Sequence, residues 1–254
     1  MFFEIDNCTK QFGGLTAVKD LAVTIQPREL VGMIGPNGAG KTTVFNLVTG
    51  VYRPTTGDIR LNGTSLVGRK PSEIAALGIA RTFQNIRLFP QLTALDNVRI
   101  AAALHHPVGL AGAMLHTPAV AARDAILTDR ARHLLHVLKL DPWENEKARN
   151  LPYGKQRRLE IARALATEPK LLLLDEPAAG LNPAETDDLM HFIRYLIGEF
   201  GVTILLIEHD MRLVMGICER IYVLDYGEVI AHGQPEAIRN DPKVVAAYLG
   251  GSGE

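Results

Sequence analysis

Three short runs along this chain are apolar and uncharged: LVGMI from Leu30 to Ile34, LLLL from Leu171 to Leu174, and TILLI from Thr203 to Ile207. Unbroken apolar runs of this length predict strands covered on both faces, as in a parallel sheet. Elsewhere apolar residues return at helical spacing, as in Val44, Leu47 and Val48, or Leu159, Ala162 and Leu165. Such strands alternating with helices predict an α/β fold. The first thirty or so residues read as short strands turning at Gly13-Gly14, and GDIRLNG (Gly57 to Gly63) as another strand closing on Asn-Gly. From Leu92 to about Leu140 the pattern is helical and alanine-rich, an inserted helical region.

One stretch imitates a membrane span, since no Asp, Glu, Lys or Arg lies between Arg99 and Arg123. His105, His106, Pro107, Gly109, Gly112, His116 and Pro118 interrupt it, so the roughly twenty continuous apolar residues of a spanning helix are not there. We expect a break inside a helical lobe and a chain soluble by itself. The three histidines have no acid or cysteine beside them, which favours surface positions over a metal site.

Composition narrows the picture a little. With 254 residues there is enough chain for one substantial core. Lys+Arg 27 against Asp+Glu 28 gives a net charge of -1 with no run of one sign, against a nucleic-acid partner. Cys8 and Cys218 are far apart and lack metal-type spacing, so free thiols in a reducing compartment are expected. The opening MFFEIDNCTK has acids where a signal peptide carries bases.

The chemistry starts at GPNGAGKTT, Gly35 to Thr43, between the apolar run LVGMI and a helical stretch. Strand, glycine loop and helix form the context that G-x-x-x-x-G-K-[ST] requires. Gly35, Gly38 and Gly40, with Pro36, Asn37 and Ala39 between them, let backbone N–H groups turn inward at a helix start and cradle an anion. Lys41 adds a cation for the β- and γ-phosphates, and the Thr42 hydroxyl is a ligand for Mg²⁺, with Thr43 following. A nucleoside triphosphate is the predicted ligand.

LLLLDEP places Asp175 and Glu176 at the carboxyl end of a buried strand, where α/β sheets bind ligands. Asp175 is positioned for the Mg²⁺ shell and Glu176 to polarise the water that attacks the γ-phosphate. Capping of the next helix is the plainer alternative; beside the phosphate loop, hydrolysis is favoured. In LPYGKQRRLEIARAL (Leu151 to Leu165) the apolar stripe puts Lys155, Arg157 and Arg158 in a first helical turn, where cations oppose the helix dipole. An anionic ligand would relieve that conflict. For Arg157 and Arg158 alone, a solvated basic face is the simpler expectation.

The order of the glycine loop, Gln84 in RTFQN, LPYGKQ ahead of LLLLDEP, then GLNP and IEHD, resembles the ATP-binding subunits of ABC transporters. The resemblance spans nearly the whole chain. It implies a P-loop NTPase fold with a RecA-like parallel-sheet core (about 1–85 and 155–240), an N-terminal antiparallel β region, a helical subdomain (about 86–154) and a C-terminal tail (about 241–254). It implies that Phe12 stacks on adenine. Gln84 would contact Mg²⁺ and the attacking water and link the site to the membrane partner, and His209 would contact the γ-phosphate. Leu151, Pro152, Tyr153, Gly154 and Lys155 would form the signature loop, acting in trans on ATP of a second subunit in a head-to-tail dimer. Ala179 to Asn182 would cross that interface.

Finer similarity is to the LivG-type subunits of branched-chain amino-acid importers, carried by ARTFQNIRLF, RRLEIARAL, LDEPAAGLNP, IEHDM and VVAAYLG. Urea, amide and lipopolysaccharide systems look related. This implies a peripheral protein on the cytoplasmic face of the inner membrane, with membrane subunits and, indirectly, an extracytoplasmic binding protein as partners. Two positions depart from the general pattern. The signature Leu-Ser-Gly-Gly-Gln reads Leu151-Pro152-Tyr153-Gly154-Lys155, and Asn182 stands where aspartate is usual. Both concern what the chain offers a neighbour's ATP, which favours a heterodimer with a related ATPase.

Overall fold

A computed structural model describes residues 1–106 and 118–250. The expected interruptions at Pro107, Gly109, Gly112 and His116 lie outside the described residues, as does the end of the tail. The chain forms two compact units, Met1–Arg81 with Lys170–Glu254, and Thr82–Pro169.

The first unit holds the strands β1 (Phe3–Phe12), β2 (Leu15–Ile25), β3 (Leu30–Ile34), β4 (Thr56–Leu61) and β5 (Thr64–Ser65). It continues with β6 (Ile79–Arg81), β7 (Leu171–Asp175), β8 (Thr203–Ile207), β9 (Arg220–Asp225) and β10 (Glu228–Gly233). The three uncharged runs are β3, β7 and β8, buried at every residue. They lie side by side with β6 and β9 in a parallel arrangement of order β10-β9-β3-β8-β7-β6, with β10 antiparallel at the edge. A second sheet, β2-β1-β4-β5, is antiparallel. Its first two strands are 10 and 11 residues long, not short, because bulges let the pairing run on through polar positions such as Asn7 and Asp20. Phe3, Ile5, Val23 and Ile59 of this sheet share one core with Met33, Leu173 and Leu205 of the other. Cys8 and Cys218 are buried free thiols, and burial pushes the Cys8 thiol up to about 11.

Helices α1 (Lys41–Val48) and α2 (Pro71–Leu77) precede the second unit, which contains α3 (Ala94–Ala102), α4 (Pro118–Val137) and α5 (Tyr153–Ala166). Helix α3 packs against both α4 and α5, burying Leu95, Val98, Leu134 and Leu159. This packing places α5 with the helical unit, so the sequence returns to the sheet unit at Lys170, not near residue 155. His105 donates to the Thr167 carbonyl at 2.9 Å. Helices α6 (Pro183–Phe200), α7 (Met211–Ile217), α8 (Pro235–Arg239) and α9 (Pro242–Gly250) complete the first unit. Asn182 and Glu185 cap α6 reciprocally at 3.0 and 2.9 Å, a role that asparagine fills as well as aspartate. Among the described residues, no helix is long and apolar enough to cross a membrane.

Candidate active site

Strand β3 delivers Gly35 to Gly40 to the start of α1. Gly40 caps that helix with φ +102, and a Cβ there would lie 2.6 Å from the Ala17 carbonyl oxygen. At Gly35 a Cβ would meet the Leu224 carbonyl oxygen at 2.1 Å. Neither position admits a side chain, so the loop backbone is forced close to its neighbours. The turn between β9 and β10 braces it from behind: Gly227 N–H donates to the Ala39 carbonyl at 3.0 Å, and Lys19 N–H to the Gly227 carbonyl at 2.9 Å.

Lys41 is nearly buried, with Nζ donating to the carbonyls of Gly35 (2.7 Å) and Pro36 (2.9 Å). Burial lowers its pKa, opposed by the negative charges of Glu176 and Asp175. A cation in that condition gains from an incoming polyanion. Thr42 is exposed in the first turn of α1, and Thr43 is half-buried behind it.

Asp175 ends β7 and is buried. Its Oδ2 accepts from Arg81 Nη2 at 2.7 Å; Arg81 Nη1 donates to Asn46 Oδ1 at 2.7 Å, and the guanidinium lies 5.3 Å from the Phe45 ring centroid. Glu176 follows with φ +46, a left-handed conformation that a residue with a Cβ adopts at a cost of about 1–3 kcal/mol. Its N–H still donates to Ile207 at 2.9 Å. One Glu176 oxygen stands 3.5 Å from Nδ1 of His209, which is 63% exposed beyond β8. Thus Lys41, Asp175, Glu176 and His209 gather at the carboxyl ends of β3, β7 and β8.

Sequence reasoning missed Glu208. Its carboxylate is fully buried, and burial raises its pKa against the N–H groups bound to it. Oε1 accepts from Ala178 N at 2.8 Å, while Oε2 accepts from His209 N at 3.0 Å and Asp210 N at 3.3 Å. One side chain therefore ties the loop after Glu176 to the loop carrying His209. The signal was an acid directly after the apolar run Ile204 to Ile207, which must find donors there. Glu208→Gln presents one acceptor oxygen where the carboxylate presents two. We expect a loss of ~1–3 kcal/mol, read as a lower urea midpoint. An unchanged midpoint would mean that the relief of burying a charge offsets the lost bonds.

Phe12 ends β1, partly exposed, edge-on to Tyr52 with ring centroids 5.1 Å apart and the Lys10 ammonium 4.8 Å from its centre. The aromatic surface is thus a pair, of which the family resemblance pointed to one member.

Gln84 and the 151–155 loop belong to the second unit. Leu151 is buried, and its carbonyl accepts from Gln156 Nε2 at 2.8 Å. Helix α5 starts at Tyr153, earlier than the expected start near Lys155, with Pro152 as a cap that offers no side-chain bond. Gly154 lies in its first turn, and Lys155 Nζ sits 4.8 Å over the Trp143 ring. Arg157 overturns the expectation of a solvated basic face. It is 1% exposed, held by the carbonyls of Phe83 (2.6 Å) and Gln84 (2.8 Å), the Tyr153 hydroxyl (2.9 Å) and Glu160 (3.2 Å). Protein acceptors, and not water, answer its conflict with the dipole.

Among the described residues no group of three His, Cys, Asp or Glu could hold a metal unaided. The oxygen donors Thr42 and Asp175 nevertheless suit Mg²⁺, which takes one or two protein ligands and completes its shell with phosphate and water. A loop shaped this closely for phosphate, with two acids beside it at the strand ends, is the arrangement of a P-loop nucleotide hydrolase.

The family model described as ABC transporter matches residues 18–179. The chain belongs to the ABC transporter family and is one of its ATP-binding, ATP-hydrolysing subunits. A second model, described as Branched-chain amino acid ATP-binding cassette transporter, matches 228–254. Curated relatives include the high-affinity branched-chain amino acid transport ATP-binding proteins LivG of Escherichia coli (strain K12), 48% identical over 97% of this chain and 96% of that one. BraF of Pseudomonas aeruginosa is 48% identical over 97% of each. Among solved structures, an ATP-binding cassette of an ABC transporter in its ADP conformation superposes with a TM-score of 0.84 at 28% identity, covering 98% of each chain. A dimeric cassette in a post-hydrolysis state bound to ADP and Pi gives 0.77 at 28% identity, covering 92% of this chain and 99% of that one. The expected fold class is the one found.

Proposed function

We propose that this chain is the ATPase of an importer for branched-chain amino acids, seated peripherally on the cytoplasmic face of the cell membrane. What carries this reading is near-full-length identity of 48–49% to proteins named for branched-chain amino acid transport, against 36% for a lipopolysaccharide export ATP-binding protein. The match of 228–254 to a model of the same transport group supports it.

In the proposed reaction, the adenine of ATP stacks on Phe12 beside Tyr52. Lys41 leaves the carbonyls of Gly35 and Pro36 for the phosphates, while the loop N–H groups from Gly38 to Thr43 hold the remaining charge. Mg²⁺, held by Thr42, Gln84 and Asp175, would neutralise phosphate charge. Glu176 polarises the water, and His209 contacts the γ-phosphate. Gln84 links these events to the membrane subunits. Leu151 to Lys155 act on a second subunit's ATP, and Ala179 to Asn182 cross between the two. Affinity capture from membranes tests the assignment: polytopic subunits with a branched-chain amino-acid binding protein support it, and subunits of an exporter overturn it.

Pro152 supplies neither hydroxyl nor N–H at the mouth of α5, so we further propose a related ATPase as the natural second subunit. Pro152→Ser in a Glu176→Gln background should tighten the ATP-dependent homodimer, each new bond to phosphate adding ~1.5–3 kcal/mol. The new hydroxyl would also cap α5 for about 1 kcal/mol, but that gain needs no ATP. Sedimentation with and without ATP separates the two, and equal dimer affinities would remove the argument for asymmetry.

A further inference from the structure

The stretch from Phe83 to Arg87 has no regular secondary structure, and α5 supplies hydrogen-bond partners to its backbone. Arg157 donates to the consecutive carbonyls of Phe83 and Gln84. Three residues on, Glu160 Oε1 accepts from the N–H of Phe83 at 3.3 Å and of Arg87 at 3.1 Å. Three further on, Arg163 donates to the Arg87 carbonyl and lies 4.8 Å over the Phe89 ring. One helix thus holds both ends of the segment that carries Gln84.

The decisive detail is at Nη2 of Arg157. This nitrogen donates to the Gln84 carbonyl at 2.8 Å and to the Tyr153 hydroxyl at 2.9 Å. A guanidinium is planar, with two hydrogens fixed on each terminal nitrogen. The spacing of the two acceptor oxygens is therefore set by a rigid fork. Tyr153 is 45% exposed in the first turn of α5, whereas Arg157 is 1% exposed. The hydroxyl that closes this link is that of Tyr153, on the exposed first turn of the helix.

We propose that Tyr153 and Arg157 are positioning residues that couple the exposed start of α5 to the backbone of Gln84. Rearrangement of Tyr153 against a second subunit's ATP is thereby transmitted to the residue that serves this chain's own nucleotide. The inference rests on the roles proposed above for Leu151 to Lys155 and for Gln84. A pure staple would hold Gln84 regardless of what Tyr153 meets; a coupler makes the Gln84 segment respond to it. The purpose of the buried arginine–glutamate pair is then geometric, since such pairs add little net stability.

The test is Tyr153→Phe, which removes one oxygen and keeps the ring, in the assembled transporter. Hydrogen exchange of amides 83–87 is followed with and without ATP in the Glu176→Gln background, and KM and kcat in the otherwise unaltered chain. Tyr153→Phe should leave the melting temperature and KM for ATP close to the parent and lower kcat by about tenfold, the worth of one hydrogen bond to a charged group. The ATP-dependent protection of 83–87 should be lost. Arg157→Lys, which keeps the charge without the fork, should reproduce that loss. A parental kcat with full ATP-dependent protection in Tyr153→Phe overturns the proposal, and so does a fall in melting temperature that accounts for the lost activity. If the background chain itself gains no protection at 83–87 with ATP, the trans reading of the signature loop fails and takes this inference with it.

Discussion

Glu176→Gln should keep ATP binding and slow hydrolysis by at least about a hundredfold, the usual worth of a positioned base. The amide fits the same space, so the left-handed backbone at Glu176 and its bond to Ile207 are retained. What disappears is the charge 3.5 Å from His209 and, on the proposed mechanism, the acceptor for the water's proton. Less negative charge beside the γ-phosphate should also prolong the ATP-bound dimer. Phosphate release by the purified variant measures the first effect and sedimentation in ATP the second. Near-parental turnover would mean that another group, such as His209, organises the water.

Lys41→Ala should weaken ATP binding and abolish most hydrolysis. Bonds from the lysine to phosphate would be charge-assisted, each worth ~1.5–3 kcal/mol, or roughly ten- to a hundredfold in affinity. The starting state matters, because the ammonium already has two carbonyl acceptors at 2.7 and 2.9 Å. It exchanges neutral acceptors for charged ones, and the gain is that difference. Burial disfavours its charge, so a bound polyanion should hold the proton more firmly. Circular dichroism should remain native, since the side chain ends in the cradle and not in the core. An unchanged affinity by nucleotide titration would displace the loop as the phosphate site.

Much of this was legible because it is local. A strand buried on both faces needs an unbroken apolar run, and β3, β7 and β8 are those runs to within a residue. The phosphate loop was legible because glycine spacing encodes the backbone directly. Strand β6 was missed because three residues carry no periodicity. The hairpin of β9 and β10 turns at Tyr226-Gly227, and a tyrosine at φ +43 is not a residue that announces a turn. Side chains whose meaning depends on distant partners were the ones misread or unseen. Arg157 finds its carbonyl 74 positions away and Arg81 its carboxylate 94 away. Charge alone made the first look like a solvated cation; only the packed helix shows what it holds. Asp175 and Glu176, by contrast, are adjacent in sequence and were read together.

The phosphate loop also has a longer heredity than its own letters. A single atom, the carbonyl oxygen of Ala17, is approached closely by two glycines that are remote in sequence. A Cβ at Gly40 would come within 2.6 Å of it and one at Gly227 within 2.8 Å. Gly227, with φ +82, also receives the Lys19 N–H and gives its own to Ala39. Drift in a lineage is therefore restricted at two separated places for one reason. The glycine at the turn between β9 and β10 answers to the same constraint as the glycine that opens α1.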